Sequence, residues 1–273
     1  MELGLNTYTF RGLERREALA LARACGLAAV ELWSGHASYL RVGCDPRGVA
    51  AEAADLGVRL RAYCIGGLFG LRTPVVEDRL ARACDFAQRL GVDLVTCILD
   101  RATVPLADAR ATRAGIRVAL ENHWYTELAR PGDVAAAIAG CSPAIGAAID
   151  TGHFAFLGCR LGAAARRLGT RTLHVHLKAV RRPWPGERLL RRVGRRYRLE
   201  PARPSAGDQL DVFLRTLRAL GYRGTLAIEH EDAAASPADV RAYVDRVRRA
   251  HGAALASPAP DEARYARAGA AHA

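Results

Sequence analysis

The sequence predicts an α/β fold of eight parallel strands closed into a (β/α)8 barrel, and three observations predict it. Short apolar runs alternate with segments of helical period eight times along the chain. The passages from helix back to strand share one form, as in Leu56-Gly57-Val58 and Leu90-Gly91-Val92, where glycine ends a helix in a left-handed turn. The opposite strand ends carry polar chemistry: Glu121-Asn122-His123, Asp150-Thr151-Gly152-His153, His174-Val175-His176-Leu177-Lys178 and Glu229-His230-Glu231. In a parallel barrel, function collects at the C-terminal ends of the strands, which fits this asymmetry.

The elements follow in order. Strands are predicted over Leu3 to Thr7, Ala28 to Trp33, Val58 to Ile65, Leu94 to Leu99, Ile116 to Glu121, Ala144 to Asp150, Thr172 to Lys178 and Thr225 to Glu231. Helical patterns lie between them: Arg11 to Cys25, a helix to about Leu56 after the loop Gly43-Cys44-Asp45-Pro46, Val75 to Leu90, Val104 to Ala114, Pro131 to Ala139, Leu161 to Leu168 and Gln209 to Leu220. A closing helix is expected from Pro237 to Arg249, with Ser236 as its N-cap. The arginine-rich stretch from Arg181 to Arg203 reads as a long solvated loop. Residues 1–252 thus form a single barrel domain and 253–273 an Ala/Pro-rich flexible tail.

Composition narrows the class. The chain has 273 residues, half of them apolar, enough for one barrel core. No basic segment leads into an apolar one at the N-terminus, and no apolar stretch approaches the roughly 18 residues of a membrane span, so a soluble cytoplasmic protein without membrane contact is expected. Seven cysteines without a Cys-x-x-Cys pair read as small core residues in a reducing compartment. The formal charge of +12 invites a nucleic-acid partner, because clustered cations release counterions from phosphate. The basic residues are nearly all arginine, with Lys178 the only lysine, which fits a compositional bias better than one selected basic face.

Four apolar runs end in carboxylate or imidazole. If they are neighbouring parallel strands, Glu121, Asp150, His176 and Glu229 converge on one point, and such a mixed oxygen and nitrogen set suits a divalent metal. For any one of them, a helix cap or a solvated loop charge is the commoner role. Their matching stations argue for a shared site.

The chain resembles the xylose-isomerase-like TIM barrels, a superfamily of sugar isomerases, epimerases and dehydratases, over about residues 3 to 250. The resemblance rests on the Leu-Gly-Leu opening, Ala29-Val30-Glu31-Leu32, Leu120-Glu121-Asn122-His123, Ile149-Asp150-Thr151-Gly152-His153, His174-Val175-His176-Leu177-Lys178, and Leu220-Gly221-Tyr222-Arg223-Gly224 leading to Ile228-Glu229. It implies Glu121, Asp150, His176 and Glu229 as metal ligands, with Mn²⁺ or Mg²⁺ the first choice and Co²⁺ or Zn²⁺ the alternatives. It implies Glu121 and Glu229 as the catalytic pair that removes and returns a proton at a ketose α-carbon. His153, Glu127 and Arg182 match substrate-contacting positions, while Lys178 shares the strand face of His176 and is a candidate for a substrate oxygen.

The expected function is a metal-dependent sugar or polyol isomerase or epimerase, with a keto-polyol dehydratase of the inosose-dehydratase kind as the alternative. The substrate is a sugar or polyol, with or without phosphate. Two features depart from the family: Ala179 stands where many members carry aspartate, and the connection between the fourth and fifth strands is short. The second implies a more open pocket or one closed by another subunit, so a homo-oligomer is a candidate assembly. Trp33, His36, Trp124 and Phe154 are candidate pocket walls. An apurinic endonuclease of the same fold is the nucleic-acid rival. Tyr63-Cys64-Ile65, Cys97-Ile98-Leu99 and Val180-Arg181-Arg182 occupy the places where its further metal ligands belong, so it is disfavoured. A non-catalytic scaffold that docks an acidic partner through the Arg181 to Arg203 stretch is the other rival.

Overall fold

The computed structural model describes residues 1–178, 188–193, 196–201, 210–230 and 236–256. Its centre is a closed parallel barrel of eight strands: β1 (Glu2–Asn6), β2 (Ala29–Trp33), β3 (Arg59–Gly67), β4 (Leu94–Ile98), β5 (Arg117–Glu121), β6 (Ile145–Asp150), β7 (Thr172–Lys178) and β10 (Thr225–Glu229). They neighbour one another in chain order, and β10 closes against β1. Helices α1 (Arg15–Ala24), α2 (Pro46–Asp55), α3 (Thr73–Leu90), α4 (Val104–Ala114), α5 (Pro131–Ile138), α7 (Leu161–Leu168), α8 (Leu210–Ala219) and α9 (Pro237–Ala256) follow the strands.

Alternation along each strand sorts the side chains. Leu5, Val30, Leu32, Tyr63, Val95, Val118, Leu120, Ile149, Val175, Leu177, Leu226 and Ile228 are buried in the main apolar core with the helix residues. Their neighbours in sequence point into the barrel. Ala62, Leu94, Ala119 and Ala148 form a separate small apolar cluster, with Leu173 packed against it. These interior residues are mostly small, which leaves the space above them to larger polar side chains, among them Glu31, His174 and His176.

Local signals account for the boundaries. Gly91 takes φ 82° and its N–H bonds back to Ala87 and Gln88, which ends α3 and turns the chain into β4. Ser236 and Asp239 form a reciprocal cap on α9: Ser236 N donates to Asp239 Oδ2 at 2.8 Å and Asp239 N to Ser236 Oγ at 3.2 Å. That helix extends to Ala256, beyond the expected stop near Arg249, because Ala253, Ala254 and Ala256 carry high helical propensity. Residues 257–273 of the expected tail lie outside the described residues.

Two elements differ from expectation. The stretch expected as a loop contains an antiparallel hairpin, β8 (Arg188–Val193) against β9 (Arg196–Pro201). Leu189, Leu190, Val193, Tyr197 and Leu199 give it strand propensity, which the density of arginine obscured. A six-residue helix, α6 (Thr151–Phe156), follows β6 directly. All seven cysteines are free. Among the described residues, no helix is long and apolar enough to cross a membrane.

Candidate metal centre

The C-terminal ends of β5, β6, β7 and β10 bring together the four residues singled out in the sequence. His176 Nδ1 lies 3.5 Å from Glu121 Oε1, 3.7 Å from Glu229 Oε2 and 3.8 Å from Asp150 Oδ2. All four side chains are buried, with His176 and Asp150 fully so. Donors held about 2.1 Å from one ion stand roughly 3 to 3.5 Å apart; Glu121, Asp150 and His153 each offer a ligand atom within 4.8 Å of the others, and His176 Nδ1 stands beside two of them and Glu229 at the distances above.

The backbone fixes this convergence. Asp150 pairs with His176 across β6 and β7, and Glu229 with Lys178 across β10 and β7. Asn122, next to Glu121, ties the ends of β5 and β6: its Nδ2 donates to Asp150 O at 3.1 Å, and Asp150 N donates to its Oδ1 at 2.8 Å. Asp150 also caps α6, accepting from His153 N at 2.8 Å through Oδ1. Its other oxygen is thereby left facing the cluster. Thr151 Oγ1 donates to His176 O and accepts from Lys178 N, which seats the start of α6 on the end of β7.

Lys178 and His153 complete the inner wall. Lys178 Nζ lies 3.1 Å from Asp150 Oδ2, 3.2 Å from Glu229 Oε1 and 2.9 Å from His153 Nε2. Gly152 makes room for it, since a Cβ there would stand 2.7 Å from Lys178 Cβ and 2.8 Å from Lys178 Cδ. Burial, with the Lys178 charge beside it, pushes the His153 imidazole down to about 2, so this ring is neutral and accepts from the ammonium.

The electrostatics are those of a cation site. Glu31, Glu121, Asp150 and Glu229 supply four buried carboxylates, against which Lys178 and a protonated His176 supply two positive charges. Burial holds Asp150 well above the ordinary carboxylate range, and the charges of Glu121 and Glu229 push it further. Burial likewise raises Glu229, helped by Glu121 and Glu31. Burial also opposes ionisation of Glu121, yet His176 and Lys178 outweigh it and hold that carboxyl low. His176 is disfavoured as a cation by burial but raised well above its usual value by Glu31 and Glu121. His176 Nδ1 is buried, makes no hydrogen bond and faces the cluster, and Asp150 Oδ2 meets the Lys178 ammonium. Buried carboxyls whose ionisation is opposed by burial and by one another, beside an imidazole nitrogen with no hydrogen bond, fit a divalent ion.

A second grouping of donor atoms, Glu31 with His174 and His176, lies on the other side of the His176 ring. Its members already hydrogen-bond one another, at 3.0 Å for His174 Nε2 and 2.8 Å for His176 Nε2 to Glu31 Oε2. Glu31 was visible in the sequence only as part of a strand motif. An acidic residue in the middle of an apolar strand was the signal that it has partners inside the barrel.

The remaining candidates fall elsewhere. Glu127 is exposed, and its Oε2 accepts from Arg101 N at 3.3 Å. Arg182 lies outside the described residues. Phe154 packs in the apolar core with no exposed surface, so it is no pocket wall. Trp124 lies 5.2 Å from Phe156 between ring centroids, and the His123 ring lies 3.7 Å from the His153 ring at a tilt of 44°. Trp33 packs edge-on against Tyr8 and His36.

Comparison with known proteins agrees with this architecture. The family model described as a xylose isomerase-like TIM barrel matches residues 19–250. No curated protein matches the sequence. Among solved structures, an L-ribulose 3-epimerase is similar with a TM-score of 0.70 at 17% identity, covering 96% of this chain and 100% of its own. The 3-keto-D-glucoside 4-epimerase YcjR of E. coli has a TM-score of 0.70 at 15% identity, covering 91% and 99%. A probable 3-DHS dehydratase, AsbF of Bacillus anthracis, has a TM-score of 0.68 at 13% identity, also covering 91% and 99%. At these identities the likeness is one of fold.

Proposed function

The chain belongs to the xylose isomerase-like TIM barrel family, and from that premise we propose that it is a divalent-metal-dependent isomerase or epimerase of a sugar or polyol. Glu121, Asp150, His176 and Glu229 hold the ion. The observation that carries this reading is the approach of three carboxylates to within 3.8 Å of one unbonded imidazole nitrogen. Three oxygen donors and one nitrogen suit Mn²⁺ or Mg²⁺, with Co²⁺ or Zn²⁺ as alternatives. The ion, when bound, supplies Lewis acidity that lowers the barrier to removing a proton next to a carbonyl.

The chain's own residues supply the acid and base. Glu121, held ionised, removes the α-proton; Glu229, whose carboxyl is raised, returns one. Such opposed environments in neighbouring carboxyls are what a paired proton transfer requires. Lys178 and His153 line the same wall and offer an ammonium and a neutral imidazole to substrate oxygens. Glu127 and Arg182 are assigned to substrate contact on the family resemblance alone. The similarity to an L-ribulose 3-epimerase and a 3-keto-D-glucoside 4-epimerase supports a ketose or keto-sugar as the substrate class.

Dehydration is the second reading. Lys178 Nζ beside His153 Nε2 is a proton source for a departing β-hydroxyl, and one similar structure is a probable dehydratase. The test of the primary reading is solvent exchange. Mn²⁺-loaded protein in deuterated water incorporates deuterium at the α-carbon of a ketose from a substrate panel, and Glu121→Gln and Glu229→Gln lose that exchange while keeping the fold. Substantial exchange in both variants contradicts the assignment, and loss of water from the substrate in place of exchange selects the dehydratase.

A further inference from the structure

We propose that Glu31 is a positioning residue that holds the His176 imidazole with Nδ1 facing Glu121, Asp150 and Glu229. The inference deepens the metal-site reading above and rests on it for its functional meaning. Glu31 sits on β2, a strand that contributes none of the four ligands, and its side chain has no solvent exposure.

A lone carboxylate in the barrel interior is costly unless every lone pair is engaged. Here each oxygen has donors: Oε1 accepts from Thr96 Oγ1 at 2.5 Å, and Oε2 accepts from Asn6 Nδ2 at 3.0 Å and from the Nε2 atoms of His174 at 3.0 Å and His176 at 2.8 Å. A carboxylate only accepts, so His176 must carry a proton on Nε2 and present Nδ1 on the other side of the ring. That other side is where the three carboxylates lie.

Asn6 extends the same layer to a second ligand. Its Nδ2 also donates to Glu229 Oε2 at 3.1 Å, while its Oδ1 is held by Tyr8 N at 2.9 Å. Glu31 and Asn6 face each other across β1 and β2. Two of the four converging side chains are thereby braced from below by residues that do not themselves reach the cluster. A carboxylate behind a ligating histidine both fixes the ring and raises its basicity.

The test uses two readouts on the full chain. Equilibrium titration with Mn²⁺ is expected to show affinity about 10 to 100-fold weaker in Glu31→Gln than in wild type. Nitrogen-15 NMR of histidine-labelled, metal-free wild type is expected to show a strongly deshielded imidazole N–H that disappears in Glu31→Gln and in His176→Asn. Thr96→Val, which removes a hydrogen bond to Glu31 Oε1 and none to a histidine, should keep that resonance and bind Mn²⁺ within a few-fold of wild type. Unchanged Mn²⁺ affinity in a folded Glu31→Gln overturns the proposal. So does a wild-type spectrum that lacks a deshielded N–H assignable to His176, a result that holds whether or not any variant folds. A wild type that binds no Mn²⁺ but shows the resonance contradicts the metal reading alone and leaves Glu31 as the group that orients the ring.

Discussion

Lys178→Met removes a charge from the centre of the cluster while keeping most of the side-chain volume. The Lys178 ammonium stands 3.1 Å from Asp150 Oδ2 and 3.2 Å from Glu229 Oε1, and it is nearly excluded from solvent. Deleting one partner of a buried ion pair costs about 3–5 kcal/mol. Asp150 and Glu229 are both held above the ordinary carboxylate range, so either can take up a proton when the ammonium is gone, which places the loss at the lower end. A cost of about 3 kcal/mol corresponds to a melting temperature lower by roughly 6–12 °C in a domain of this size. A bound divalent ion replaces the missing charge, and at about 100 times its Kd it contributes about 2.7 kcal/mol to stability. The assay is calorimetric melting near pH 8 with and without Mn²⁺, together with equilibrium Mn²⁺ titration. The expected result is a large loss without the ion, most of it recovered with Mn²⁺, and tighter Mn²⁺ binding than in wild type because the ammonium no longer competes for the same oxygens. Unchanged melting together with weaker Mn²⁺ binding would refute the reasoning.

Three further outcomes follow from the same structure. Asp150, Glu229 and His176 all have raised folded-state values, so the stability they contribute is present below their unfolded values and is lost as pH rises through the folded ones. Glu121 acts oppositely, but its loss comes only in acid. His153, pushed down to about 2, also acts oppositely, but above about pH 7 it is neutral in both states. The metal-free protein should therefore melt at progressively lower temperature from about pH 7 to 9, and saturating Mn²⁺ should flatten that slope; a metal-free melting temperature that rises over this range contradicts the assignment. Gly152→Ala places a Cβ 2.7 Å from Lys178 Cβ and should cost about 1–3 kcal/mol, read by chemical denaturation. Ser236→Ala removes the acceptor for Asp239 N and should cost about 1 kcal/mol without changing deuterium exchange at the substrate.

The architecture was legible because a parallel barrel writes itself into sequence twice. Residues that face the helices, such as Val118, Leu120, Val175 and Leu177, keep the strands apolar, and glycines such as Gly91 end the helices with backbone geometry that side chains resist. The hairpin β8–β9 was not legible, since its strand propensity is interrupted by arginine at half of the positions from Arg188 to Val193. Helix α6 was hidden by its length: six residues present no period, and Asp150 reads equally as a strand end and as a cap.

The four converging residues could be picked out because each sits at the polar end of an apolar run. Glu31 could not be assigned from the sequence, because its role depends on Asn6, Thr96, His174 and His176, which come from three other strands. Glu127 matches a substrate-contacting position of the family by standing six residues after Glu121, but in the loop after β5 its carboxylate accepts from the Arg101 backbone. Offsets carry through strands, whose rise is fixed, and drift in loops.

The most direct measurement is equilibrium dialysis against Mn²⁺ followed by elemental analysis of wild type, His176→Ala and Asp150→Asn. The account predicts one tightly held ion per wild-type chain and loss of tight binding in both variants, with circular dichroism unchanged. A folded wild type that retains no Mn²⁺, Mg²⁺, Co²⁺ or Zn²⁺, or variants that bind as tightly as wild type, would contradict it.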